Sequence, residues 1–297
     1  MHLNIVMMGR LYKMNKIDYT RKNDRKDIEL KENLEVPYFY FENIEATNLV
    51  VHGFSTRLGG VSREHLSSMN LSFTRGDDIE NVFENYRRIT RAMNIEYDSL
   101  VLSMQTHTTN IRVVTNRDRG KGLTWERDYT DIDGFITNEK GVTLVTFYAD
   151  CVPLLFVDPV HCAIGSSHSG WRGTVNKIGK KTLEEMHMHY GTKPEDVIAA
   201  IGPSICKDCY EVSEDIIEEF KKSFTLEQVY NMCDRKTNDK YQLDLWKANQ
   251  YVLLDAGIKE NNISVTNVCT CCNPKLLFSH RASHGMRGNL AAFIGLK

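Results

Sequence analysis

Apolar residues recur along this chain with two distinct periods. Runs rich in β-branched and aliphatic residues predict strands at Asn48–Phe54, Asn110–Thr115, Gly134–Thr137, Val142–Tyr148, Val152–Val157, Cys162–Ser167, Val197–Ile201, Ile263–Val268 and Ala291–Leu296. Helical spacing governs Ile79, Val82, Phe83, Tyr86, Ile89 and Met93, directly after Asp77-Asp78, whose carboxylates suit a helix N-cap. Val175, Ile178, Leu183 and Met186 mark a second helix. Two more are expected near Ser213–Lys222 and Leu243–Ala256, the last stopped by Gly257. No internal repeat and no Pro/Ser-rich linker divides the pattern. These elements predict one mixed α/β domain with an N-terminal arm.

Composition narrows the class. The chain has 297 residues, 41% hydrophobic and 26% charged, which excludes a disordered chain, and its 19 glycines keep no collagen triplet. With 37 basic against 39 acidic residues the formal net charge is −2, without the basic surplus a general nucleic-acid binder needs. No apolar run approaches the roughly 20 residues of a membrane span, so neither nucleic acid nor membrane is an expected partner. Charge is uneven, however: residues 1–31 hold eight Lys/Arg and four Asp/Glu, a surplus of +4 that leaves −6 for the rest. This basic, aperiodic stretch predicts a solvated arm. Its four acids do not suit a transit peptide, and Arg10 and Lys13 interrupt its start too early for a secretory signal.

The expected compartment is therefore cytoplasmic and reducing, which decides how eight cysteines are read. Cys151 and Cys162 sit in or beside strand-like runs. Cys206-x-x-Cys209, with the Cys269/Cys271/Cys272 cluster as a second pole, offers the spacing of a structural metal site. Reduced surface and core thiols are the simpler expectation.

Chemistry concentrates where strands give way to polar residues. His107, Cys151 and His168 each occupy such an end, and together they offer two imidazoles and one thiolate, the ligand set of a catalytic zinc with a fourth position open. Taken singly, each imidazole reads as an ordinary packed or surface residue and Cys151 as a small buried apolar one. The same atoms admit a second use, with His168 as the base for a Cys151 nucleophile, and one ring nitrogen cannot serve both. Three glycine-bearing stretches suit an anion: Ser55–Ser62 with Arg57, Gly170–Gly173 with Arg172 at a helix start, and the acid-free segment 273–297 with Lys275, Arg281, Arg287 and Lys297.

Several of these segments, in order, resemble one family. HGFSTRLGGVS (His52–Ser62), DGFIT (Asp133–Thr137), ADCVPLLF (Ala149–Phe156), HSGWRGT (His168–Thr174), GPSIC with CYEV (Gly202–Val212), LDLWKAN (Leu243–Asn249) and FSHR (Phe278–Arg281) are similar to the YfiH-type family, long labelled laccase-domain or multicopper polyphenol oxidase. Its members are regarded as zinc-containing purine nucleoside phosphorylases with adenosine deaminase activity. The resemblance covers residues 35–297 and leaves 1–34 as an N-terminal extension. It implies an α+β fold, a single domain with β-sheets sandwiched between helices, and zinc held by His107, Cys151 and His168, with copper only as an adventitious occupant. Where the family usually has Thr-Gly-Arg near its end, this chain has Arg287-Gly288-Asn289.

The expected function is thus phosphorolysis of purine nucleosides (adenosine, inosine, guanosine and methylthioadenosine) together with deamination of adenosine. Arg57, Arg172 and Arg287 are the expected phosphate and substrate grips, and Asp150 and His280 the expected proton carriers. Three other readings compete. A copper polyphenol oxidase needs several convergent histidine sets, which the ten histidines do not supply. A thiol hydrolase or deamidase would use Cys151 and His168, and a partner-binding module would use the basic arm.

Overall fold

Strands that bury both faces need a packed layer on each side, and the central strands of this chain are apolar at consecutive positions. The structure, a computed structural model, describes residues 17–32, 34–237 and 239–297. With strands numbered in chain order, the first six-stranded sheet runs β1 (Ile28–Lys31), β2 (Tyr38–Phe41), β3 (Val50–Ser55), β15 (Leu290–Leu296), β7 (Thr143–Tyr148) and β4 (Leu100–Leu102). Neighbours are antiparallel except β4 with β7.

The second runs β14 (Ile263–Val265), β10 (Ile198–Ile201), β8 (Val152–Asp158), β9 (Ala163–Ser169), β6 (Gly134–Thr137) and β5 (Ile111–Val113), antiparallel except at its two outer pairs. A small third sheet holds β11 (Glu211–Ser213), β13 (Lys240–Leu243) and β12 (Cys233–Arg235).

Side-chain alternation assigns the layers. Leu144 of β7 and Ile294 of β15 meet Leu155 of β8 and Ile164 of β9 between the two large sheets. Their neighbours Val145 and Phe293 turn outward onto Tyr86 and Ile89 of α2 (Ile79–Met93). On the far side, Leu154 and Phe156 meet Met186 of α4 (Ile178–Tyr190) and Leu253 of α7 (Leu245–Asp255), beside α5 (Glu214–Ser223) and α6 (Leu226–Met232). The order helix, sheet, sheet, helix is the sandwich expected. Two short helices, α1 (Glu42–Glu45) and α3 (Trp171–Val175), complete the set among the described residues. None is long and apolar enough to cross a membrane.

Local signals explain the boundaries. Asp78 caps α2 by accepting from Glu80 N (3.0 Å), while Asn94 ends it in the left-handed conformation. The helix expected through Val175–Met186 is two helices, because Lys177 has φ 57° and breaks the turn between them. The solvated arm needs correction too. Residues 1–16 lie outside the described residues, but Ile28 is fully buried in β1. Arg21 donates to Ile28 O (2.8 Å) and pairs with Glu29 (2.9 Å), and its backbone bridges to Val268. Of the four acids, Glu29 pairs with a basic residue of the same segment, while Lys22 and Lys31 pair with Asp208 and Glu45 of the main body, and the ordered fold starts well before residue 35.

Candidate metal centre and its cavity

Three loops converge where β7 hands over to β8. His168 lies near the end of β9, and the β6–β9 register, Gly134 opposite Ser167, sets Asp133 beside it. Cys151 fills the tight turn between β7 and β8, where Asp150 holds φ 92°, and His107 sits in the loop after β4 with φ 68°. One donor atom from each of His107, Cys151 and His168 lies within 4.8 Å of the others. Gly170 makes room for them: a Cβ there would stand 3.0 Å from Cys151 Sγ and 3.1 Å from His107 Cδ2.

Asp133 orients both histidines. Its Oδ1 accepts from His107 N (3.1 Å) and His168 Nδ1 (2.8 Å), and its Oδ2 from Thr106 N (3.0 Å), Thr108 N (2.9 Å) and Thr108 Oγ1 (3.0 Å). A carboxylate can only accept, so His168 carries its proton on Nδ1 and turns Nε2 toward the cluster. Burial by itself pushes the Cys151 thiol up, but the His168 and His107 imidazoles outweigh it and bring it down to about 6. Burial likewise lowers His168, and the Cys151 and Asp133 charges overcome this to raise it to about 9. Two imidazole nitrogens, a readily ionised thiol and a carboxylate behind one imidazole fit a zinc-like ion with an open coordination position.

The cluster forms one wall of a cavity of about 310 Å³, within the roughly 300–1,000 Å³ range of small-molecule sites. Phe73, Phe147 and Met104 supply apolar wall, and Arg75, Arg127 and Arg287 supply positive charge. Arg287 Nε and Asn289 Oδ1 are buried without hydrogen-bond partners, in two residues that both line the cavity. Burial, and after it the Arg75 charge, lowers Arg287 to about 10. A polar, anionic ligand answers both the stranded N–H and the repulsion between cations.

Four expected site residues are placed elsewhere. Arg57 gives Nε to Ser67 O (2.8 Å) and Nη1 to Pro274 O (2.7 Å), which leaves it a loop brace off the cavity wall. Arg172 is exposed, stacked 4.2 Å from the Trp171 ring centroid, and also off the wall. Asp150 accepts from Thr270 Oγ1 (2.6 Å) and Arg281 N (2.7 Å), so its carboxylate ties loops together behind Cys151. His280 is exposed and does not line the cavity. Of the C-terminal cations, Arg287 alone reaches the wall. Asp133 and Asn289 stood in the sequence only within family segments, with no role assigned, and Arg75 was not singled out. Arg75 carried the signal used for the others, since it precedes Gly76, which has φ 79°.

Residues 51–297 match the family model described as multi-copper polyphenol oxidoreductase laccase. The chain is 38% identical over 253 residues to purine nucleoside phosphorylase YlmD of Bacillus subtilis, covering 84% of this chain and 89% of that one. It is 35% identical over 234 residues to adenosine deaminase RL5 of an unknown prokaryotic organism, covering 78% and 88%. The crystal structure of Bacillus licheniformis YfiH superposes with a TM-score of 0.84 at 30% identity, covering 90% of this chain and 99% of that one.

Proposed function

The chain belongs to the multi-copper polyphenol oxidoreductase laccase family, and from that premise we propose that it is a zinc-dependent purine nucleoside phosphorylase that also deaminates adenosine. The observation that carries this reading is the His107–Cys151–His168 cluster opening onto an arginine-lined cavity. The relatives' names supply the substrate class. His107, Cys151 and His168 would hold the zinc, which when bound acts as a Lewis acid toward an oxygen of the substrate or of water.

The remaining work falls to the chain's own residues. In phosphorolysis a phosphate oxygen bonds to ribose C1′ as the bond from C1′ to the purine nitrogen breaks, and the departing base takes up a proton. Arg287, with Arg75 at the more exposed side, holds the phosphate and offsets its charge. Phe73 and Phe147 flank the planar base and keep water from it. In deamination, water adds at C6 of adenosine and ammonia leaves, with the same walls positioning the ring. Asp133 keeps His168 in the tautomer that presents Nε2.

Copper at this cluster would be adventitious. Among the described residues it is the one group of convergent donors that contains histidine, whereas an oxidase needs several. A specific observation does favour a second reading: Cys151, His168 and Asp133 also have the arrangement of a thiol nucleophile, base and orienting carboxylate. That reading leaves His107 without a task. Elemental analysis of the purified protein, with a product screen on adenosine and inosine with and without phosphate, decides. Bound zinc and phosphate-dependent base release support the phosphorylase. A metal-free enzyme inactivated stoichiometrically by iodoacetamide supports the thiol hydrolase.

A further inference from the structure

Behind the Asp150–Cys151 turn a second set of sulfurs gathers. Cys206 and Cys209 belong to a single helical turn after β10, and Cys269 and Cys272 to a turn after β14. The four Sγ atoms lie within 4.8 Å of one another, with Cys206–Cys272 at 4.0 Å and Cys209–Cys272 at 3.5 Å. None of the four is in a disulfide. Sulfurs around a tetrahedral ion with bonds of about 2.3 Å stand about 3.8 Å apart, a value that falls between the Cys209–Cys272 and Cys206–Cys272 distances. Cys206 N (3.2 Å) and Cys272 N (3.4 Å) both donate to Cys269 Sγ and fix that sulfur between the two turns. The two turns are held together by a Ser204–Cys269 bridge and by Thr270 N donating to Ser204 O (3.1 Å). From the N-terminal side, Lys22 pairs with Asp208 (2.8 Å), and Thr20 N donates to Asn273 Oδ1 (2.7 Å).

We propose that Cys206, Cys209, Cys269 and Cys272 form a closed tetrathiolate site for one structural zinc ion, separate from the His107–Cys151–His168 centre. Two Cys-x-x-Cys turns that meet in space are the usual architecture of such a site, and four protein ligands leave no position for substrate. None of the four cysteines lines the cavity. The site's task is to fix the loop that presents Cys151. Ile205, next to Cys206, donates its N–H to Asp150 O (3.0 Å), and Thr270, next to Cys269, donates its hydroxyl to Asp150 Oδ1. Asp150 holds φ 92°, a backbone that costs energy for a non-glycine residue and that these two hydrogen bonds help to keep in place.

Metal counted per chain in the full-length protein tests the proposal. Wild type and the thiol control Cys162→Ser should carry two zinc ions, Cys209→Ser/Cys272→Ser one, and His107→Ala/His168→Ala one. Cobalt substituted into His107→Ala/His168→Ala should give strong thiolate-to-cobalt charge-transfer absorption, and this spectrum decides alone if the cysteine variant does not fold. Wild-type metal content in Cys209→Ser/Cys272→Ser, or the absence of that absorption, overturns the proposal. Failure of the catalytic-zinc reading looks different, because His107→Ala/His168→Ala would then keep the wild-type metal content.

Discussion

Replacing Asp133 by asparagine perturbs the candidate centre while conserving its shape. An asparagine has one carbonyl oxygen, so its NH2 must face one of two donor sets. On the Oδ2 side it would oppose Thr106 N, Thr108 N and a hydroxyl; on the Oδ1 side it would oppose His107 N and an imidazole nitrogen. The second arrangement costs less, since the imidazole can change tautomer and only one backbone donor is stranded, at about 1–3 kcal/mol. His168 Nδ1 then accepts from the amide, its proton moves to Nε2, and Nε2 no longer has a lone pair for a metal. Zinc affinity should fall about 10–100-fold, the range seen when a carboxylate behind a ligating histidine is removed. Competition with a chromophoric chelator measures the affinity, and urea denaturation the stability. Wild-type zinc affinity with unchanged stability would mean that Asp133 does not hold His168 in the metal-binding tautomer.

Other perturbations separate the roles assigned to neighbouring residues. Arg287→Gln removes the buried cation; hydrogen bonds to charged groups are worth about 1.5–3 kcal/mol, so the KM for phosphate should rise about tenfold or more. Its zinc content should stay at the wild-type value, and an unchanged phosphate KM would exclude Arg287 as the grip. Gly170→Ala pushes a methyl against Cys151 Sγ and His107 Cδ2, so chelator competition should show weaker metal binding, and wild-type binding would mean that the loop yields freely. Burial holds His52 down at about 4, below the ordinary imidazole value of 6.5. The unfolded chain therefore takes up a proton between pH 6.5 and 4 that the folded chain refuses. This component of stability is complete above pH 6.5 and is lost as pH falls, by up to about 3 kcal/mol. Denaturation of wild type and His52→Gln at pH 7 and pH 4 should show the smaller loss in the variant, which keeps an acceptor for Phe41 N.

How much was legible in the sequence depended on whether a signal was local. Gly134–Thr137 emerged with its observed bounds and Val152–Asp158 one residue longer than read, because both are buried on two faces and bounded by turns. Asp78 announced α2 through its own side chain. By contrast, β4 has three residues and β1 lies among charges, so neither shows a period; β1 is recognisable only through its partner β2. At the site, His107, Cys151 and His168 could be picked out because each stands where an apolar strand gives way to polar residues. Arg57 and Arg287 could not be told apart, since both sit in glycine-bearing loops and only tertiary packing turns one to Pro274 and the other to the cavity. Asp133 stood in the sequence only as the first residue of the DGFIT segment, and its role appears once the β6–β9 register sets it beside His168.

On the proposed function, the His107–Cys151–His168 centre, loaded with zinc, performs phosphorolysis. Its most direct test measures hypoxanthine and ribose 1-phosphate released from inosine, against phosphate concentration, by protein stripped with a strong chelator and then reloaded with zinc. Both products should form in equal amounts, only in the reloaded protein, and in proportion to phosphate occupancy, with Cys151→Ser inactive and depleted of the ion. Full activity in demonstrably zinc-free protein, abolished by alkylation of Cys151, would contradict this function.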